Sequence, residues 1–398
     1  MTILFRPVSA GSASLNTPPL HVVTLTPFYP TAGDEAAGCF VAEPLRAATE
    51  FGITSEVFAA QPFYRHSVSA AASAPARWLR YPAIPGGLGL SSAGTFLFAR
   101  LLRPLRKRHD AKPVDVIHAH APLPCGHAAA LLSRELGIPF VVTVHGLDAF
   151  STNQFPGIAG RWCERVSQMV YRAAARVICV SERVRQSVLE GASGRVNTAV
   201  LYNGVDPNLF SPAPDMHSAA SILSVGNLIP IKGHESLLRA FAGIHAEFPG
   251  VFWEIIGDGP EQPHLRTLAA SLGVADKVRF LGRRSRQQVA DAMRGCTVFA
   301  LPSRYEGLGC VYLEAMAAGK PVLACMGQGI EEIIRPGING CVVSPGDVPA
   351  LSGTLATLLG NADLRRQIGF SARQTILSAF TLHHQAARMA ELYRECRA

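Results

Sequence analysis

The stretch from Thr297 to Ala324 most limits what this chain can fold into. The apolar run Thr297–Leu301 reads as a strand and ends at Pro302. A short polar turn with Glu306, Gly307 and Gly309 follows. A helical pattern then runs through Val311, Leu313, Ala315, Met316 and Ala317 and stops at Gly319-Lys320-Pro321. A second apolar run, Pro321–Ala324, begins at once. A strand, loop, helix and strand in succession build a parallel α/β sheet. In such sheets ligands bind at the loops on the carboxyl ends of strands.

The loop has the chemistry for one kind of ligand. Gly307 and Gly309 carry no Cβ, so a ligand can approach the backbone. Free N–H groups at the start of the helix, with its positive dipole end, suit a phosphate. Glu306 lies in the loop, and Glu314 is placed about two turns into the helix. Two such carboxylates can hold hydroxyls at separate points on one molecule, as a carboxylate holds a ribose diol in dinucleotide sites. Each charge-assisted hydrogen bond contributes roughly 1.5–3 kcal/mol. A sugar joined to a nucleoside by a diphosphate has this layout. Glutamates at this spacing also occur on solvated surfaces; the two glycines and the two flanking strands favour the ligand.

The pattern Pro302-Ser303-x-x-Glu306-Gly307-x-Gly309, continued by Glu314-Ala315-Met316-Ala317-x-Gly319-x-Pro321-Val322, resembles the signature of retaining glycosyltransferase family 4, also called group 1. Weaker matches run from about His21 to the C-terminus. The resemblance implies the GT-B fold, α/β, with two Rossmann-like domains facing a cleft. It implies transfer of a sugar from a nucleoside-diphosphate sugar to an acceptor hydroxyl with retained configuration, and no metal or other cofactor. Carried onto this chain, Glu306 would hold the sugar hydroxyls and Glu314 the ribose. His145, in the strand-end sequence His145-Gly146-Leu147-Asp148, would approach the transferred sugar from the opposite domain. A capping histidine in a structural hydrogen bond is the alternative for that position. Lys232 and Gly233 stand at a helix start and match the diphosphate site.

Other positions match less fully. Asn227 stands where most of the family has an arginine, in Gly226-Asn227-Leu228-Ile229-Pro230. Either Asn227 gives a neutral hydrogen bond, or Arg283, Arg284 or Arg304 supplies the charge. The glycine pair of the first βα turn is not intact, and Gly38 is its best match. The strand Val278–Gly282 falls where the family places the nucleobase, which makes Phe280 and Leu281 lining candidates or ordinary core. Backbone at Gly307, Leu308 and Gly309 would face the donor. Gln328-Gly329-Ile330-Glu331-Glu332 resembles a further Gly-Gly-x-x-Glu turn, with Gly329 facing sugar or phosphate.

A length of 398 residues suggests two domains. The expected division is a loose tail at 1–20, an acceptor-side domain at 21–206, a nucleotide-sugar domain at 207–380 with its linker at Phe210–His217, and a helix at 381–398 crossing back to the first domain. No apolar run approaches the roughly 18 residues of a membrane span, and no signal-peptide pattern opens the chain. Nine scattered cysteines with no Cys-x-x-Cys pair read as free thiols in a reducing cytosol. A cytoplasmic protein is expected. The net charge of +8 admits nucleic acid, an anionic membrane or a phosphorylated ligand. Nucleic acid is disfavoured because no binding module is present. Arg100, Arg103, Arg106, Lys107 and Arg108 follow the apolar Phe96–Leu102, and Arg161, Arg165, Arg172, Arg176, Arg183 and Arg185 interleave with Trp162, Val166, Met169, Val170 and Tyr171. Such basic amphipathic helices suit the inner membrane surface, or are solvated helix faces.

Elsewhere strand and helix alternate, with a short helix expected at 364–368, except in Gln61–Ser92, which reads as a variable connection. His118 and His120 share a strand face, but no third ligand lies near them in sequence, so a metal site is not expected. The donor is expected to be a UDP-sugar before a GDP-sugar, and the acceptor a lipid-linked or saccharide hydroxyl. Two rivals stay open: a nucleotide-sugar epimerase of the same fold, and a catalytically silent nucleotide-sugar binding protein.

Overall fold

The computed structural model describes residues 18–66, 68–83, 87–149, 157–192, 194–213 and 220–397. They fall into two units: the described residues up to Asn203 together with those from Leu382 onward, and Gly204 to Thr381.

The N-terminal unit is a seven-stranded sheet ordered β3-β2-β1-β4-β5-β6-β7. Its strands are β1 (Leu20–Thr26), β2 (Ile53–Pro62), β3 (Arg77–Tyr81), β4 (Val116–His120), β5 (Phe140–Val144), β6 (Arg176–Cys179) and β7 (Thr198–Val200). Every pairing is parallel. Helices α1 (Cys39–Ala47), α2 (Gly87–Ala111), α3 (His127–Leu136), α4 (Ile158–Ala173) and α5 (Glu182–Gly191) join them. The central strands are apolar without alternation because helices cover both faces, as in Phe140–Val144, where every residue is buried.

The other unit is a six-stranded parallel sheet ordered β10-β9-β8-β11-β12-β13. It comprises β8 (Ser221–Val225), α6 (His234–Ile244), β9 (Phe252–Ile256), α7 (Gln262–Ser271), β10 (Val278–Gly282), α8 (Arg286–Gly295), β11 (Val298–Ala300), α9 (Cys310–Ala317), β12 (Val322–Cys325), β13 (Cys341–Val343), α10 (Val348–Gly360) and α11 (Ala362–Ala379). The last helix, α12 (Leu382–Arg397), packs on α1 in the N-terminal unit, where Ala386, Met389, Ala390, Leu392 and Tyr393 join the core.

Strand order reverses next to β1 and β4 in the first sheet, and next to β8 and β11 in the second. Such a switch point leaves a crevice at the carboxyl ends of the two strands. In the second sheet the loops leaving those strands carry Lys232-Gly233 and Glu306 to Gly309.

Four readings of the sequence are corrected. Gln61–Ser92 is not merely a connection: it holds β3 and the start of α2. As an edge strand β3 buries fully only Tyr81, so it lacks strong alternation. The short helix expected at 364–368 is the much longer α11, with Ile368, Ala372 and Ile376 as its buried stripe. Glu314 lies little more than one turn into α9, which starts at Cys310. The apolar side of the basic helix α2 does not face outward: Ala93, Leu97, Leu101 and Leu105 are buried, and Arg106 and Arg108 pair with Glu135 and Glu56 at 2.7 and 2.9 Å. That helix is an ordinary solvated face over a core stripe. All nine cysteines are free, and Cys125, Cys163, Cys179, Cys296 and Cys325 are buried. The linker segment is described only as far as 213, and the tail only from 18.

Candidate active site

In the C-terminal unit, β8 ends at Val225 and the chain turns through Asn227 and the helical turn Pro230–Lys232 to Gly233. Gly233 has φ +73°, and a Cβ there would stand 2.1 Å from the Pro302 carbonyl oxygen. Only glycine lets the Lys232 loop lie against the end of β11. The loops are also tied by the Arg304 N–H, which donates to the Ile231 carbonyl at 2.7 Å.

This closeness brings Lys232 and Glu306 together across 74 residues of sequence. Lys232 Nζ donates to Glu306 Oε1 at 2.5 Å, and Ser303 Oγ donates to the same oxygen at 3.0 Å. Both side chains keep a little exposure, 19% and 13%, so a ligand can reach them. Gly309 caps α9, with Gly307 and the Leu308 side chain buried behind it. Leu308 can therefore offer a ligand only its backbone. The Gly329 N–H donates to the Glu306 carbonyl at 3.3 Å and so braces the Glu306 loop. Gln328 is buried, and its amide donates to the Ser303 carbonyl, bracing the same loop.

Glu314 is buried, at 4% exposure, and Arg286 Nη1 donates to its Oε1. The Arg286 guanidinium also lies 4.9 Å over the Phe210 ring. Sequence reasoning missed Arg286. A signal was available: Ser285 and Gln288 form a capping box that starts α8 and sets Arg286 at its first position. Phe280 is half-buried against the core, with Arg266 stacked on its ring at 4.5 Å; Leu281 is likewise half-buried. Asn227, Arg283, Arg284 and Arg304 are exposed. Of the three arginines, Arg304 is tied to the Lys232 loop, and it lines a pocket of about 270 Å³ over the first turn of α6 with Gly233 and His234.

In the N-terminal unit, Gly38 has φ +72° and precedes α1; a Cβ there would stand 2.5 Å from the Tyr29 nitrogen. Its small size lets α1 start against the loop leaving β1. His145 follows β5 directly. Asp148 Oδ1 accepts from the N–H groups of His145 at 2.9 Å and Gly146 at 2.7 Å, so Asp148 fixes the turn that presents the imidazole. Phe40 and Phe28 pack edge-on to the ring at 4.8 and 5.9 Å. Burial lowers His145 to about 4, so the imidazole is neutral at physiological pH. Burial raises Asp148 to about 6 against the pull of its backbone donors. Behind His145 lie His120 and His118, also kept neutral by burial, with His118 lowered to about 3. Among the described residues, no three His, Cys, Asp or Glu side chains are grouped to hold a metal ion.

Comparison with known proteins places this arrangement. The family model for Glycosyltransferase Family 4 matches residues 40–209, and that for Glycosyl transferases group 1 matches residues 215–375. An uncharacterised glycosyltransferase of Methanocaldococcus jannaschii is 31% identical over 265 residues, 67% of this chain and 71% of that protein. The chain belongs to glycosyltransferase family 4. A D-inositol 3-phosphate glycosyltransferase of Streptomyces scabiei is 31% identical over 310 residues, 72% of this chain and 69% of its own. Among solved structures, sucrose-phosphate synthase of Thermosynechococcus elongatus superposes with a TM-score of 0.76 at 21% identity, covering 94% and 98% of the two chains. The Anabaena protein HepE, in complex with UDP and glucose, superposes at 0.74 with 24% identity, covering 94% and 99%. This family 4 glycosyltransferase thus has two Rossmann-like domains of the GT-B fold, and its chemistry is sugar transfer. Among the described residues, no helix is long and apolar enough to cross a membrane.

Proposed function

We propose that this glycosyltransferase takes a nucleoside-diphosphate sugar, a UDP-sugar before a GDP-sugar, and moves a hexose to an acceptor hydroxyl with retained configuration and without a metal ion. The observation that carries this reading is the Lys232–Glu306 contact at the switch point of β8 and β11. An ammonium and a carboxylate within one hydrogen bond match a ligand whose phosphate and sugar hydroxyls are also neighbours. On donor binding the phosphate takes Lys232 and the sugar hydroxyls take Glu306.

The α9 start and the backbone from Gly307 to Gly309 add preorganised dipoles to the leaving diphosphate. Arg304, tied to the Lys232 loop, supplies the second positive charge that Asn227 lacks. Glu314 uses the carboxylate oxygen not held by Arg286 for the ribose. Phe280 and Leu281 border the base, and Gly38 lets the first loop approach the ligand. His145 of the N-terminal unit gives a hydrogen bond to the transferred sugar. The HepE complexes, with UDP and with UDP-glucose, make a UDP-sugar the first donor to try. For the acceptor we propose a lipid-linked or saccharide hydroxyl met at the cytoplasmic membrane face. Ile158 and Trp162, 75% and 55% exposed on α4 beside Arg161 and Arg165, are the surface that favours this.

The test is a thermal-shift screen across UDP-, GDP- and ADP-sugars, followed by nucleotide release with and without a lipid-linked acceptor. Acceptor-dependent release supports transfer. Release of free sugar without an acceptor supports the epimerase, and binding without turnover supports a silent binding protein.

A further inference from the structure

Three imidazoles stand in line in the N-terminal unit. His118 and His120 are two residues apart on β4 and share its face; His145 follows β5, the neighbouring strand. His118 is held at both nitrogens, Nδ1 to the Tyr393 hydroxyl at 2.6 Å and Nε2 to the Thr143 hydroxyl at 2.7 Å. Its ring lies 4.3 Å from that of His120 and supports it from one side. Tyr393 comes from α12, so the last helix of the chain anchors this line. His120 Nδ1 stands 3.1 Å from His145 Nε2, with the two rings within 14° of parallel. His120 is 5% exposed, and its Nε2 is buried without a hydrogen-bond partner among the described residues.

One proton lies between His120 Nδ1 and His145 Nε2, and two neutral arrangements place it. If His145 Nε2 carries it, His120 must carry its own proton on the buried, unpartnered Nε2. If His120 Nδ1 carries it, the unpartnered Nε2 is only a lone pair. Buried N–H groups without acceptors are rarer in native proteins than under-used acceptors. The second arrangement leaves His145 protonated on Nδ1, the nitrogen that makes no hydrogen bond among the described residues. The hydrogen bond at one ring nitrogen decides the protonation of the other.

We infer that His120 is a positioning residue that fixes His145 as its Nδ1–H tautomer, so that His145 offers the bound sugar a hydrogen-bond donor and not an acceptor. The inference rests on the proposed contact of His145 with the sugar. The tautomer itself can be read without any donor. Because burial holds both rings neutral, the donor comes from tautomer choice and persists at pH 7 and above.

The experiment is a long-range proton–nitrogen correlation of histidine-labelled, ligand-free protein at pH 7.5, with the His145 signal assigned by His145→Asn. The expected wild-type pattern is protonated Nδ1 and bare Nε2. In His120→Phe it moves toward the Nε2–H form. In steady-state assays His120→Phe loses about 10–100-fold in kcat with little change in donor KM. His120→Asn places an amide N–H near the old Nδ1 and restores most of kcat; His120→Gln does not. An Nε2–H pattern in the wild type overturns the inference, as does a folded His120→Phe with unchanged tautomer and kcat. If His120→Phe does not fold, the wild-type spectrum and the Asn and Gln variants decide. Absence of transfer from every nucleotide sugar would remove the functional reading and leave the tautomer result standing.

Discussion

The groups singled out in the two units solve the problem of buried polarity in opposite ways. In the C-terminal unit the groups are matched in ion pairs: Lys232 with Glu306, and Arg286 with Glu314. In the N-terminal unit His118, His120 and His145 are kept uncharged by burial and hydrogen-bonded to one another or to hydroxyls. The difference follows the ligand proposed for each. A diphosphate needs fixed positive charge and dipoles. A neutral sugar needs hydrogen bonds with a set direction, and a cation beside it would add only a desolvation cost.

The comparison can be broken by experiment. The largest effect is expected at Glu306 and Lys232. Glu306→Ala or Lys232→Ala should lower kcat/KM for the donor by about 100–1,000-fold, as loss of a preorganised charge contact does. Turnover within threefold of wild type in both would remove the charged end of the account. Next comes Arg286→Ala, which leaves Glu314 buried without its partner. A stability loss of about 3 kcal/mol is expected in urea unfolding. Glu314→Ala should instead raise donor KM by roughly tenfold with a smaller effect on stability. Equal losses of stability in both would make the pair structural only.

Acidification is expected to act on the buried imidazoles of both units, because burial and the neighbouring Lys232 also lower His234 to about 4. The folded pKa of His145 lies at about 4 and that of His118 at about 3, against an ordinary value of 6.5. Below pH 6.5 the unfolded chain binds more protons than the folded one, so stability falls as pH falls through that window. Asp148, raised to about 6, acts in the opposite sense, favouring the fold at low pH and costing stability as pH rises through 6. Three histidines against one aspartate predict a net loss of several kcal/mol between pH 6.5 and 4. Urea midpoints that stay flat over that range would contradict the burial of the imidazoles. The smallest effect is expected at the surface of α4. Trp162→Ala should reduce sedimentation with anionic vesicles a few-fold and leave turnover of a soluble acceptor unchanged.

The charged end was more legible in the sequence than the neutral one, for physical reasons. Glycines, a strand and a helix start within a few residues of Glu306 announce a strand–loop–helix turn, because its signal is local backbone geometry. Lys232 announces itself in the same way. What could not be read was pairing across sequence. Glu314 meets Arg286, which is 28 residues away on another helix, and His118 meets Tyr393, which is 275 residues away. Their contacts depend on how helices stack on the sheet, and no period encodes that. The edge strand β3 was missed because it buries little, and α11 was cut short because Gly369 and Ser371 dilute its apolar stripe.

The central claim is that Lys232 and Glu306 part to receive different pieces of one donor. Calorimetric titration of UDP and of the matching UDP-sugar into wild type, Lys232→Ala and Glu306→Gln tests it most directly. The account predicts that Lys232→Ala weakens both ligands, whereas Glu306→Gln weakens only the sugar nucleotide and leaves UDP bound at least as tightly as before. Equal weakening of UDP and UDP-sugar by Glu306→Gln, or no effect of Lys232→Ala on either, would contradict it.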